Sequence, residues 1–252
     1  VKIHLVMPMA GAGSRFYKNG YMIPKPMMMI QDRPFLFWAT ESVRKYIEVE
    51  DITFVVLQKH IDENGIDKMI KEYYPEAVIV AVPEVLPGAT MTCLEGVKHI
   101  SDNLPVLFND CDHMFKCTSF YDSISAQEPD STSGELPYDG GLLTFFANTP
   151  QYSFVKIDPE TGRVTGTAEK VVVSNDAICG AYFFRSADSF RAAADKYLTA
   201  CEYQEYFLSG VYNSICAEGG DIRVFTCEYH INFGTPEEYE ATKNAAEFGE
   251  LA

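Results

Sequence analysis

The chain has 252 residues, 47% of them hydrophobic, enough to bury a sizeable core in one large domain or two small ones. A formal net charge of −16 argues against a broad nucleic-acid or anionic-membrane surface, because either needs a patch of lysine and arginine. Seven cysteines without a C-x-x-C pair exclude zinc-ribbon and thioredoxin signatures, and no apolar run approaches the ~20 residues that cross a bilayer.

The odd cysteine count, with no secretory signal pattern at the start, points to a reducing, cytoplasmic setting. No Gly/Ser/Pro-rich linker or like-charge block divides the chain, so residues 1–252 are expected to form a single domain.

In chain order, the first half alternates β-type apolar runs with segments at helical spacing. Strands are expected at Ile3–Met7, Ile52–Leu57, Ala77–Val82 and Val106–Phe108, and helices at Phe35–Ile47, Ile61–Tyr74 and Thr90–Ile100. Strand followed by helix at this interval predicts a parallel sheet with helices on both faces, whose ligands bind beyond the carboxyl ends of the strands. The second half is richer in strands: Gly140–Ala147, Phe154–Asp158, Gly162–Lys170 and Ile178–Ser186, with Asp158–Gly162 as a hairpin turn. Helices at Ala187–Thr199 and Tyr203–Ala217 precede a late strand, Ile222–Cys227.

Directly after the first strand comes "MPMAGAGSRF", Met7 to Phe16. Gly11 and Gly13 let the backbone turn tightly and bring N–H groups close to an anion, and Arg15 adds a planar charged fork suited to phosphate oxygens. The stretch is not a Walker A loop, and Phe16 stands where a dinucleotide fingerprint needs its third glycine; turn formers, "YKNGYMIPKP", follow in place of a helix. Alone, the loop is equally a phosphate cradle or a structural turn with a surface arginine.

Lys25, held between Pro24 and Pro26, has a restricted backbone that pre-positions its ammonium. "LPVLFNDCDHMF" is an apolar strand ending in Asp110 and Asp112, carboxylates suited to Mg²⁺ at a strand's C-terminal edge. His113 and Cys111 beside them lack a second Cys/His cluster at ligand spacing. "LPGATMTCLEGVKHI" sets a Pro-Gly turn before a helix, with Thr90 as the expected N-cap.

Gly11, Gly13, Ser14 and Arg15, then Pro24-Lys25-Pro26, then Pro34 at a helix start, together resemble the sugar-phosphate nucleotidyltransferases, the nucleoside-diphosphate-sugar pyrophosphorylase-like family. The resemblance extends along most of the chain. It implies a Rossmann-like, GT-A-like α/β fold, with a mixed, mainly parallel sheet flanked by helices in three αβα layers. A nucleotide-binding half would span about 1–115 and an acceptor-binding half about 116–252.

The family's activity would join a nucleoside monophosphate from a triphosphate to a sugar 1-phosphate or similar phosphomonoester, releasing pyrophosphate, with Mg²⁺ as cofactor. Arg15 and Lys25 would be catalytic, and Ala10, Gly11, Ala12, Gly13, Ser14, Gly88, Ala89, Thr90 and Asp110 would bind nucleotide. Tyr152, Ser153, Glu169, Lys170 and Gly180 would bind acceptor, Asp112 would hold the metal, and Asn232 stands at its second ligand position.

This chain departs from the family pattern in several places. Ser153 replaces a glycine common in sugar-specific members; in the "HINFGTPEEYEA" tail His230 replaces a tryptophan and Asn232 an aspartate. No glutamine precedes Gly88 to read a pyrimidine edge, so the base stays open, as do a choline- or aminoalkyl-type phosphate acceptor and self-association into a homo-oligomer. "DGGLLTF" and the tail resemble a branch linked to bacterial capsule and surface polysaccharide. Two rivals stand: a glycosyltransferase using Asp110-Cys111-Asp112 as a D-x-D metal site, and a non-catalytic nucleotide- or sugar-binding homologue. Neither reading calls for nucleic acid or membrane insertion.

Overall fold

The computed structural model describes residues 1–126 and 137–251. Its strands are β1 (Ile3–Pro8), β2 (Met29–Ile30), β3 (Arg33–Pro34), β4 (Val49–Leu57), β5 (Val78–Val82), β6 (Val106–Asn109), β7 (His113–Lys116), β8 (Gly140–Phe146), β9 (Ser153–Ile157), β10 (Val164–Glu169), β11 (Asp176–Phe184), β12 (Ile222–Thr226) and β13 (Tyr229–Asn232). The helices are α1 (Ser14–Lys18), α2 (Phe35–Arg44), α3 (Gln58–Asn64), α4 (Ile66–Tyr73), α5 (Ala89–Gly96), α6 (Thr118–Ser125), α7 (Ala187–Ala200), α8 (Leu208–Ala217), α9 (Pro236–Thr242) and α10 (Phe248–Leu251). None of them is long and apolar enough to cross a membrane.

A mixed nine-stranded sheet runs through both halves of the sequence. β5, β4, β1 and β6 are parallel; β11 pairs antiparallel with β6 and links this block to β8, β9 and β10, while β12 joins β8 in parallel. Consecutive side chains on a strand point to opposite faces, and here both faces are covered. Leu5 and Met7 of β1, with Phe54 and Val56 of β4, pack in one core against α2 and α4. Val6, Val55 and Leu57 enter the other, with α5, α7 and α8. The result is helices, sheet, helices: the expected three layers.

A third, smaller cluster joins distant parts of the chain. Phe16 from α1, Phe35 and Trp38 from α2, Met114 from β7, Phe233 after β13, and Phe248 and Leu251 from α10 pack together. Ring centroids lie 4.6 Å apart for Phe35 and Phe233 and 4.8 Å apart for Trp38 and Phe248. β7 and β13 form a separate antiparallel ribbon above the main sheet, pairing Asn232 with His113.

Several expected elements change. The helix expected over Ile61–Tyr74 is two, α3 and α4, because Gly65 at φ 66° ends the first and starts the second. The helix expected from Tyr203 starts at Leu208. After the opening loop the chain does form a helix, the short α1, whose first turn closes as the Phe16 and Tyr17 N–H groups donate to the Gly13 carbonyl.

His4 of β1 is buried with a carboxylate on each ring nitrogen, Asp51 2.8 Å from Nδ1 and Asp102 2.9 Å from Nε2. Burial opposes its charge, yet the hydrogen bonds and charges of Asp51 and Asp102 together outweigh it and raise the pKa. A raised folded-state pKa gives stability that is complete below the ordinary value of about 6.5 and is lost as pH rises through the folded value. The stability gap between wild type and His4→Gln in urea denaturation is therefore expected to narrow from about pH 5.5 to about pH 8.5. A gap independent of pH would show that His4 is not held as the cation.

Candidate active site

The C-terminal ends of β1 and β6 lie side by side, since the two strands pair in parallel. β1 delivers the glycine loop and β6 delivers Asp110 and Asp112, so the residues that sequence reasoning singled out meet at the edge where open α/β sheets bind ligands.

Two clefts open there. The first, of about 410 Å³, is walled by Ala10, Gly11 and Ala12 on one side and by Leu86, Pro87, Gly88 and Ala89 on the other. Both segments assigned to the nucleotide from sequence thus face one space. Thr90 does not serve as the N-cap of α5: that position is Gly88, at φ 109°. The backbone around Tyr206 crosses the Pro-Gly turn, Tyr206 N–H donating to Pro87 O and Thr90 N–H to Tyr206 O, both at 3.0 Å. A Cβ on Gly88 would lie 2.4 Å from Tyr206 N, so only glycine allows this crossing. It also explains why residues 203–207 leave the expected helix. Thr90 is fully buried with its hydroxyl unpaired, and Thr92 reaches the cleft instead.

The second cleft, of about 360 Å³, gathers Arg15, Asp110, Asp112, Tyr152, Ser153, Glu169, Gly180 and Asn232. The opening loop connects the two spaces: Ala12 lines the first cleft, Gly13 turns at φ 59° into α1, Ser14 begins that helix, and Arg15 lines the second.

Ser153 and Glu169 face each other across β9 and β10, and the Ser153 hydroxyl donates to Glu169 Oε2. The serine that replaces a family glycine is therefore bound to a neighbour expected to contact the acceptor. Ser209 Oγ donates to the same oxygen at 3.4 Å. Lys170, at φ 54°, stands off the cleft wall: its ammonium is 3.8 Å from Glu169 Oε1 and 4.9 Å from the Phe207 ring centroid. Gly180 lies where the pairing of β11 with β8 shifts register, and the space a Cβ would fill there is taken by Asp110, with Oδ2 only 2.9 Å away.

The electrostatics centre on Asp110 and Asp112. Lys25, at the start of a 3-10 turn, places its ammonium 2.6 Å from Asp112 Oδ2. Burial disfavours the Asp112 carboxylate, but the charge and hydrogen bond of Lys25 hold its pKa below the ordinary carboxylate range. Asp110 has no such partner among the described residues; burial and then the charge of Asp112 push it up to about 7. Above them the ring centroids of His113 and His230 lie 5.2 Å apart, and burial, then the neighbouring His113, keep His230 neutral.

Among the described residues no cluster of three or more His, Cys, Asp or Glu side chains is arranged to hold a metal. The donors here are hard oxygens, from Asp112, Asn232 and Asp110. They suit Mg²⁺, a cation that retains several waters and takes one or two protein carboxylates alongside phosphate oxygens. Gly234 keeps the gap open, since a Cβ there would lie 2.5 Å from Asp112 Oδ2 and 3.2 Å from Asn232 Oδ1.

No protein-family model matches this chain, and no curated protein is significantly similar to it. Solved structures are similar over nearly its whole length. The nucleoside-diphosphate-sugar pyrophosphorylase from Vibrio cholerae RC9 superposes with a TM-score of 0.77 at 22% identity, covering 94% of this chain and 98% of that one. The inositol-1-phosphate CTP transferase from T. maritima gives 0.73 at 15% identity, covering 100% and 94%. A UDP-glucose pyrophosphorylase complexed with UDP-glucose gives 0.74 at 17% identity, covering 99% and 100%. The chain has the nucleotidyltransferase fold.

Within this fold, sequence reasoning overlooked Gln151, Tyr182 and Glu238, all of which line the second cleft. Glu238 carries a readable signal: Thr235-x-x-Glu238 is a capping box, and in the structure both of its reciprocal hydrogen bonds form. Gln151 and Tyr182 have no comparable local pattern; the fold alone brings them to the cleft.

Proposed function

We propose that this protein transfers a nucleoside monophosphate from a nucleoside triphosphate to a sugar 1-phosphate or similar phosphomonoester. An acceptor phosphate oxygen forms a bond to the α-phosphorus as the bond to the β-phosphate oxygen breaks, and pyrophosphate leaves. The observation that carries this reading is the path of the opening loop, whose residues 10–12 line one cleft while Arg15 lines the other. A triphosphate seated in the first cleft and a phosphate in the second would meet beside Arg15, Lys25 and Asp112.

The nucleophile is already an anion, so the reaction asks for alignment and charge neutralisation rather than a dedicated base. Arg15 and Lys25 supply fixed positive charge where negative charge gathers on the phosphoryl oxygens and the leaving pyrophosphate. Asp112 and Asn232, with Asp110 beside them, would hold Mg²⁺, whose positive charge would offset that of the phosphates. Glu169 and Ser153 present polar groups for acceptor hydroxyls, and Lys170, off the cleft wall beside Glu169, would reach for the acceptor phosphate.

A matrix of nucleoside triphosphates against phosphorylated acceptors, read by pyrophosphate release, tests the reaction. Release that requires both partners is expected for at least one pair. Nucleotide binding without release for any pair would overturn the reading in favour of a binding protein. Transfer from a nucleotide-sugar without pyrophosphate would favour a glycosyltransferase.

A further inference from the structure

Asn232 raises a question of orientation: an amide has one face that accepts and one that donates, and only its oxygen can serve a cation. Two contacts fix the answer. The Gly234 backbone N–H, which can only donate, lies 3.1 Å from Asn232 Oδ1. The Glu238 carboxylate, an acceptor when ionised, receives Asn232 Nδ2 at 2.8 Å through Oε1. The Thr242 hydroxyl, one turn further along α9, lies 2.8 Å from the Glu238 backbone carbonyl and 3.2 Å from that of Asn232, tying the two backbones together. A flipped amide would set its NH₂ against the Gly234 N–H and its oxygen against a carboxylate, so the network excludes it.

With the amide so held, Oδ1 has a lone pair beyond the Gly234 bond; it lies beside Gly234 as Asp112 Oδ2 does, and Asn232 and Asp112 line the same cleft. Glu238 is itself locked, because its other oxygen accepts the Thr235 N–H at 3.0 Å in the capping box.

We infer that Glu238 is a positioning residue: by accepting from Asn232 Nδ2, it aims the amide oxygen at the cation gap and lets asparagine stand where an aspartate would. The inference rests on the metal role proposed for Asp112 and Asn232. It also explains why the two positions would depend on one another. A carboxylate at 232 would lie against the Glu238 carboxylate, so Glu238 favours asparagine and penalises aspartate.

Mn²⁺ titration of the whole protein, followed by electron paramagnetic resonance, tests this in wild type, Glu238→Gln, Asn232→Asp, the double variant and Asp112→Ala. Glutamine at 238 can still cap Thr235 through its oxygen, but then turns an NH₂ toward position 232. Next to Asn232 that NH₂ meets another donor; next to an aspartate it meets an acceptor. Glu238→Gln is therefore expected to weaken Mn²⁺ binding about 10-fold in the wild-type background and to tighten it by a similar factor in the Asn232→Asp background. A structural role for Glu238 alone would shift both backgrounds in the same direction, and that result, or no shift, overturns the inference while Asp112-dependent binding stands. Mn²⁺ binding that is absent, or unchanged in Asp112→Ala, overturns the metal reading and this inference with it.

Discussion

Lys25→Ala is expected to lower turnover by about 10³-fold while the nine-stranded sheet persists. The Lys25 ammonium sits 2.6 Å from Asp112 Oδ2, and although burial opposes its charge, the charge of Asp112 raises its pKa, so it is a fixed cation at working pH. A preorganised charge at the point where two polyanions meet acts on the transition state, so its removal falls on kcat. The variant also leaves Asp112 without its partner. With the two side chains 26% and 23% exposed, the stability lost should lie below the about 3–5 kcal/mol typical of fully buried pairs, at roughly 1–2 kcal/mol.

Arg15→Ala provides the contrast. Arg15 lines the second cleft and forms no salt bridge among the described residues, so turnover should fall with little change in melting temperature. Pyrophosphate-release rates and thermal melts of both variants check these expectations. Wild-type rates with a verified substrate pair would remove both residues from the chemistry.

Gly234→Ala is expected to silence the site at a stability cost no greater than that of Lys25→Ala. The new Cβ would lie 2.5 Å from Asp112 Oδ2, the far end of a side chain. Asp112 can rotate away more cheaply than the backbone can move, but rotation breaks its contact with Lys25 and spoils the oxygen geometry. Gly234 is not among the positive-φ glycines, so alanine fits its backbone and gains about 0.4–1 kcal/mol from the unfolded state, offsetting part of the displacement. Turnover should drop by about 10²-fold or more, with Mn²⁺ affinity falling in parallel and the melting temperature falling no further than in Lys25→Ala. Wild-type Mn²⁺ affinity in this variant would show that the gap beside Asp112 holds no cation.

The parallel block of the sheet was legible because its strands are short, mostly apolar runs. The opening loop was legible because Gly11, Gly13, Arg15 and Lys25 keep a fixed spacing. What the sequence hid was short or depended on distant partners. β7 and β13 have four residues each and pair across more than a hundred positions, and α10 is a single turn docked on Trp38. Asn64-Gly65 was a local turn signal that the periodic pattern on either side of it masked. The misassigned N-cap at Thr90 has a distant origin, because the Tyr206 crossing that selects Gly88 lies far along the chain. The sequence did show that Asn232 and Ser153 depart from the expected residues, but not that Glu238 and Glu169 hold them.

The cluster around Phe16, Phe35, Trp38 and Phe233 divides the site between two supports. Asp110 and Gly180 stand on the main sheet, whereas Phe16 anchors the helix that carries Arg15, and Phe233 directly follows Asn232. In the proposed transfer, aligning attacking and departing oxygens would depend on how a small aromatic corner seats against a much larger scaffold. If that seat loosens, the chain can keep nearly all its strands and helices yet be catalytically inert. Loss of activity on warming would then mark the undocking of the corner, ahead of the melting of the sheet.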